Sequence, residues 1–314
     1  MRTRNLGRSG VAVGEIGLGT WGLSGEGYGP VDDAAVTATL DAAAEAGVTF
    51  FETADTYAEG KTLEAVGDLK KRRPNDNLVA SVRVGLDRSG TVPQKNFSPR
   101  FIRASCEGAL RRLGADCVDV LVLHNPLAVT LTQGDAWRAM RDLQTEGKAR
   151  LIGVSLSSES QGLAAVHLRP DLVVLPYNLL FPQVLNSLAG ELSVSGVGVV
   201  ARSPLAYGVL ADTWGATRRF TDVDHRTYRW MSSDLVVRMK QREALRALVH
   251  DEVRSMREAA IRYVLANKLV SVVVPGARTP DQARENATAA ESLPYLPPKD
   301  LAGVGPLLSD IGVL

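Results

Sequence analysis

Residues 98–126, SPRFIRASCEGALRRLGADCVDVLVLHNP, hold one complete structural unit. Ser98 is a side-chain N-cap, and Pro99 occupies the first helical position, where its missing N–H is no loss. Gly114 stands where a helix end needs a residue free to turn left-handed, so the spacing predicts a helix between them. The following run, CVDVLVLH at 117–124, is short and almost continuously apolar. A strand with one wet face alternates apolar and polar residues. A strand covered on both faces does not, and such strands belong to parallel sheets.

The same kind of run recurs on either side: EIGLGT (15–20), VTFFETA (48–54), NLVASVR (77–83), ARLIGVSL (149–156), LVVLPYN (172–178), VGVVARS (197–203) and LVSVVVPG (269–276), making eight in all. Helix signals lie between them, as in PVDDAAVTATLDAAAEAG (30–47), with acids early and Gly47 at the end, and TPDQARENATAAE (279–291). Eight strand–helix units predict the α/β class and a (β/α)8 TIM barrel, for which 314 residues is an ordinary length. No linker or change of composition marks a boundary, so residues 1–314 are expected to form a single barrel domain. The first fourteen residues break the alternation. RTRNL-GRSG-VAV reads as a β-hairpin, expected to close the bottom of the barrel.

With 45% hydrophobic residues, 23% charged residues and a formal charge of +1, the composition excludes disorder, a general nucleic-acid footprint and a polybasic membrane patch. The N-terminus lacks the apolar core of a signal peptide and no run reaches the length of a membrane span, so a cytoplasmic chain is expected. The two cysteines, Cys106 and Cys117, lack metal-ligand spacing and read as small buried hydrophobes, with no metal site.

A barrel places its chemistry at the C-terminal ends of the strands and in the loops that follow. The polar residues ending otherwise apolar runs are therefore the candidates: Glu52 with Tyr57, then Arg83, His124 and Asn125, Ser155, Tyr177 and Asn178, and Arg202 with Ser203. The eighth run leads into PGARTPDQ (275–282), a glycine turn with an arginine before a helix, which suits an anion. Trp21 is either pocket wall or core aromatic.

In this order and spacing, GRSGVAVGEIGLGTWGL, GVTFFETADTY, ALRRLGADCVDVLVLHNP, GKARLIGVS, LPYNLL, ARSPLAYGVL and VVVPGARTPDQARENATAA make the chain resemble the aldo-keto reductase superfamily, in its bacterial branch related to aryl-alcohol dehydrogenases. The resemblance runs from the first residues to about residue 290. It implies a barrel that binds NADPH in an extended pose and transfers hydride to an aldehyde or ketone.

Carried over by position, the family's Asp, Tyr, Lys and His fall on Glu52, Tyr57, Arg83 and His124, so two of the four differ. Tyr57 is the implied general acid and His124 orients the carbonyl oxygen. Arg83 is the cation that makes an ordinary phenol of pKa about 10 acidic enough, and Glu52 holds Arg83. Ser155 and Tyr177 are the implied nicotinamide contacts, although Leu156 and Val174 replace the family's usual amide-bearing pair. Ser203, Leu205 and Tyr207 are implied at the pyrophosphate. Gly276, Arg278, Gln282, Glu285 and Asn286 are implied at the adenosine 2′-phosphate, with Arg278 favouring NADPH over NADH. Trp21 and Asn125 are the implied substrate contacts.

The segment 205–233, with Trp214, Arg218, Arg219, Arg226 and Trp230, is expected to form a lid. Three functions are compatible with these residues. The first is an NADPH-dependent carbonyl reductase with an altered tetrad. The second is an enzyme of the same fold with other chemistry, such as enoyl reduction, epimerisation or elimination on a keto-sugar or natural-product intermediate. The third is a non-catalytic NADPH-binding protein comparable to potassium-channel β subunits. The expected partner is a small-molecule carbonyl compound, with neither nucleic acid nor membrane.

Overall fold

The computed structural model describes residues 1–215 and 217–314. Strands Leu18–Gly19 (β1), Phe50–Ala54 (β2), Val79–Val84 (β3), Val118–Leu123 (β4), Ala149–Ser155 (β5), Leu172–Pro176 (β6), Gly198–Arg202 (β7) and Val270–Val274 (β8) lie side by side in chain order. Every ladder between them is parallel. The first strand returns to the last. The Gly17 N–H donates to the Val273 carbonyl at 2.8 Å, Gly19 to Pro275 at 3.0 Å, and Val273 to Glu15 at 2.9 Å. The sheet therefore closes on itself and leaves no unpaired edge. Each apolar run read from the sequence is one of these strands.

The strands are apolar on both faces because two separate cores need them. Outward residues such as Phe51, Val82, Leu121, Ile152, Val173 and Val199 pack with the surrounding helices. Inward residues, among them Phe50, Val79, Val120, Val122, Leu151, Leu172, Val174, Val200, Val272 and Val274, fill the barrel itself. Period-two alternation assigns each residue to one core or the other.

The antiparallel hairpin of Thr3–Asn5 with Ala12–Gly14 adds Leu6, Val11 and Val13 to the inner core and plugs the bottom. Gly7 permits the close approach to β7: its φ is +55°, and a Cβ there would lie 2.3 Å from the Gly198 nitrogen.

Helices Asp33–Glu45 (α1), Lys61–Arg72 (α2) and Pro99–Leu113 (α3) begin the outer layer. Ser98 caps α3 through the Phe101 N–H, and Gly114 ends it at φ 61°. Cys106 is buried on α3, whereas Cys117, on the turn into β4, is only half-buried because the turn carries it to the barrel's rim. Among the described residues no helix is long and apolar enough to cross a membrane.

Candidate active site

The inward rows that are apolar through the barrel turn polar at its top. On β2 the row runs Phe50, Glu52; on β3, Val79, Ser81, Arg83; on β4, Val120, Val122 and then His124; on β7, Gly198, Val200, Arg202. These four charged or titratable ends line a cavity of about 600 Å³. Tyr57 joins them from the turn after β2, Gly19, Trp21 and Gly22 from the end of β1, and Gly276, Arg278 and Gln282 from the turn after β8. Asn125 (φ 51°), Ser203 (φ 57°) and Tyr207 (φ 59°) line it too, in left-handed backbone although none is glycine. Strain of roughly 1–3 kcal/mol each persists only where surrounding structure enforces it, and here it bends three loops into the mouth.

Arg83 occupies the centre. Its Nε donates to Glu52 Oε1, its Nη1 is 3.4 Å from His124 Nε2, and its guanidinium carbon is 5.9 Å from the centroid of the Tyr57 ring. Glu52 is 2% and Arg83 7% exposed, so the pair is out of water. Burial works against the charge on Arg83, but the Glu52 carboxylate more than offsets it and the pKa stands above its ordinary value. His124 is held well below the ordinary imidazole value by burial and then by the charges of Arg83, Lys95 and Arg202, so it is neutral. Burial pushes the Tyr57 phenol up to about 12, against the pull of Arg83. Among the described residues no hydrogen bond reaches the Tyr57 hydroxyl. Arg83 meets the face of that ring while its donors are turned to Glu52 and His124.

Two residues inferred to touch the nicotinamide do not line the cavity. Tyr177 is 4% exposed, its hydroxyl donates to that of Tyr263 at 3.1 Å, and the two rings stack 5.3 Å apart. The reason is phase: Val174 points inward, so three positions on Tyr177 points outward, into the layer of helices. Ser155 is inward but fully buried, and its hydroxyl donates to Asn125 Oδ1 at 2.5 Å. It positions Asn125, which does face the cavity.

At the other end Arg278 is already engaged. Its Nη1 donates to the Tyr28 carbonyl at 2.9 Å and its Nη2 to those of Gly29 and Pro30 at 2.9 and 3.0 Å, while its Nε is buried without a partner. Gln282 accepts from the Arg278 N–H at 2.9 Å. Asn286 donates to the Gly276 carbonyl at 3.1 Å and accepts from Arg257 at 2.9 Å, and Arg257 pairs with Glu285 at 3.0 Å. Glu285 and Asn286 thus hold Arg257, which lines the cavity, and do not line it themselves.

The sequence assigned segment 205–233 the role of a lid but did not show the loop it fastens to. Of the residues named in segment 205–233, Trp214, Arg218 and Arg226 line the cavity, whereas Arg219 and Trp230 do not. The segment bonds to the loop after β1: Tyr28 pairs with Asp224 in an antiparallel bridge, and the His225 N–H donates to the Gly27 carbonyl at 2.9 Å. The His225 ring centroid is 4.6 Å from that of Trp21 and 4.8 Å from that of Tyr28, so Trp21 is pocket wall and aromatic cluster at once. Burial and then Arg229 push His225 down to about 4, leaving it neutral. No local pattern announces a contact between two loops so far apart in sequence. Arg202 was legible, because counting in twos from Val200 puts it inside.

A closed barrel with a phenol, a neutral imidazole and a buried ion pair gathered at its C-terminal mouth is the architecture of a TIM-barrel enzyme. The Aldo/keto reductase family matches residues 15–304, and the chain belongs to that family. It is 31% identical over 318 residues to a probable voltage-gated potassium channel subunit beta of Oryza sativa subsp. japonica, covering 95% of this chain and 94% of that one. Two solved structures share the fold. An aldo-keto reductase from Bacillus halodurans in its holo form superposes with a TM-score of 0.81 at 24% identity, covering 98% of this chain and 96% of that one. A glycerol dehydrogenase from Gluconobacter oxydans does so with a TM-score of 0.85 at 22% identity, covering 99% and 96%. The family assigns the chain to the oxidoreductases.

Proposed function

We propose that the protein is an NADPH-dependent reductase acting on the aldehyde or ketone group of a specialised small molecule. One observation carries this reading: Tyr57, His124 and the Glu52–Arg83 pair converge in a single cavity. The cavity also fits a flat, anionic cofactor. Its wall is backbone at Gly19, Gly22 and Gly276, and a Cβ on Gly22 would come within 3.3 Å of the Ala277 carbonyl and of the Arg278 side chain. The orphaned Nε of Arg278 and the nearby Arg257 supply positive charge for a phosphate.

When bound, NADPH supplies a hydride to the carbonyl carbon. The chain's own groups deal with the oxygen. Tyr57, protonated throughout the neutral range because its pKa is about 12, donates its O–H to the carbonyl oxygen and gives up the proton as charge builds there. Neutral His124 adds a second hydrogen bond from its ring. Arg83, under the Tyr57 ring, steadies the phenolate left behind, and Glu52 fixes Arg83 in place.

Fluorescence titration with NADPH and NADH, followed by NADPH oxidation over a panel of aldehydes and ketones, tests the reading. Saturable binding that favours NADPH, with turnover lost in Tyr57→Phe, is expected. Binding of neither cofactor would sink it. A second reading, cofactor binding without turnover, draws on the geometry of Arg83, whose donors go to Glu52 and His124 and not to the Tyr57 hydroxyl. The rice relative's name agrees with it. Tight NADPH binding with no turnover on any carbonyl would favour that alternative.

A further inference from the structure

The contact between Arg83 and His124 determines where the one proton of the neutral imidazole sits. A guanidinium carries donors and no acceptor. Across the 3.4 Å between Arg83 Nη1 and His124 Nε2 the ring nitrogen is therefore the acceptor, its lone pair turned to the arginine. The proton is left on Nδ1. That nitrogen is buried and has no hydrogen-bond partner. The charged groups acting on the ring are Arg83, Lys95 and Arg202, none of which can accept, and the Glu52 carboxylate is turned to Arg83.

His225, in the roof, follows the same rule with the opposite result. Arg229 Nε donates to its Nδ1 at 3.0 Å, which leaves the proton on Nε2. The rings of Trp21, Tyr28 and Tyr207, with centroids 4.6, 4.8 and 5.5 Å away, surround that imidazole with weakly accepting π electrons. Two neutral histidines of one site are thus held by two arginines in opposite tautomers.

We propose that Arg83 is the positioning residue that holds His124 in the Nδ1–H tautomer, so that the resting ring has no donor free for the cavity, and that the oxygen of an entering carbonyl reverses this by coming between the two side chains. Lodged there, the oxygen accepts an N–H from Arg83, and Nε2 can serve it only as a second N–H. One proton passes from Nδ1 to water and another from water to Nε2, so the ring stays neutral. The hydrogen bond that His124 gives in the reaction is then created by the substrate, and a ligand without an acceptor oxygen leaves the ring at rest. This second half rests on the reductase reading above, whereas the resting tautomer does not.

The test is nuclear magnetic resonance of the whole protein labelled with 15N at histidine, in spectra that correlate the ring's carbon-bound protons with both nitrogens. His124→Gln identifies the His124 signals. At about pH 7.5 the shift of a protonated nitrogen is expected on Nδ1 of His124 and on Nε2 of His225, two opposite patterns in one spectrum. In the double variant Glu52→Gln/Arg83→Met, which strands neither charge of the pair, His124 is expected to move to the Nε2–H form that free histidine favours, while His225 keeps its pattern. Benzaldehyde added to the NADP+ complex, which has no hydride to give, is expected to move the protonated shift of wild-type His124 to Nε2. Toluene, the same ring without the oxygen, should leave it on Nδ1.

An Nε2–H ring in resting wild type would overturn the proposal, as would an Nδ1–H ring in the double variant, since Arg83 would then not be responsible. Benzaldehyde that calorimetry shows to be bound and that leaves the proton on Nδ1 would overturn it too. Resting tautomers as expected, in a protein that binds and reduces no aldehyde, would remove the reductase reading and leave Arg83 as the residue that sets the ring.

Discussion

Glu52 and Arg83, on the neighbouring strands β2 and β3, form an ion pair from which water is almost wholly excluded. Removing one partner of such a pair strands the other's charge, at a cost of roughly 3–5 kcal/mol, whereas removing both does not. Glu52→Gln and Arg83→Met are each expected to lower stability and turnover, and the double variant to lose far less than the two together. Urea unfolding and kcat/KM of the three variants measure the coupling. Strictly additive losses would show that the two residues act apart.

Neither Tyr57, pushed up to about 12, nor His124, held well below its ordinary value, changes charge between about pH 6.5 and 9. Lys95 does: burial, then Arg83, lowers it to about 8, and its ammonium donates to the His124 carbonyl at 2.6 Å. The expected profile of kcat is flat from about pH 6.5 to 9, with at most a step of about threefold near 8 that Lys95→Gln removes. A fall in kcat as pH rises through the ordinary imidazole value would mean that His124 is charged when it acts.

Arg278 serves two claimants, the three carbonyls of loop 28–30 and the phosphate it is proposed to bind. Arg278→Ala is expected to weaken NADPH binding by about tenfold while leaving NADH little changed, and to make loop 28–30 a site of proteolytic cleavage. Equal effects on the two cofactors would confine Arg278 to the loop.

Asp55 is 8% exposed, and its Oδ1 is buried without a partner. Burial raises its carboxyl from 3.8 to about 6, against smaller opposing effects of Ser105 and Arg112. Because the folded value is the higher one, the protonated acid favours the fold below about pH 4, and that contribution is lost as pH rises through about 6. Asp55→Asn should therefore be more stable than wild type at pH 8, by about 1–3 kcal/mol, with the two converging near pH 4. Thermal melting at the two pH values checks it, and a gain that persists at pH 4 would rule out ionisation as the cause.

The barrel was legible because its requirement is repeated: every strand must be apolar on both faces, so all eight announce themselves without reference to one another. The floor of the site was legible for the same reason, since Glu52, Arg83 and His124 are the titratable ends of inward rows. Tyr177 shows where a resemblance of position goes wrong without a count of phase. Its neighbours in sequence are at the mouth, but an odd step from Val174 turns it to Tyr263. The resemblance placed Arg278 at a phosphate. That its donors are also taken by carbonyls some 250 residues earlier follows only from how two loops meet. The pairing of loop 24–30 with segment 220–230 leaves no trace in either stretch, because it depends on which strands are neighbours once the sheet has closed.

The charges of the floor stand on strands anchored in two cores, whereas the roof is made of two loops fastened to each other through Tyr28 with Asp224 and Gly27 with His225. The charged groups of the cavity and the loops that cover it are thus carried by separable parts of the chain. Grafting either loop alone from a relative would break the fastening. Moving both as a matched set would give a new roof over an unaltered reaction centre, so the pair of loops is the natural unit of exchange for anyone who wishes to redirect this barrel to another compound.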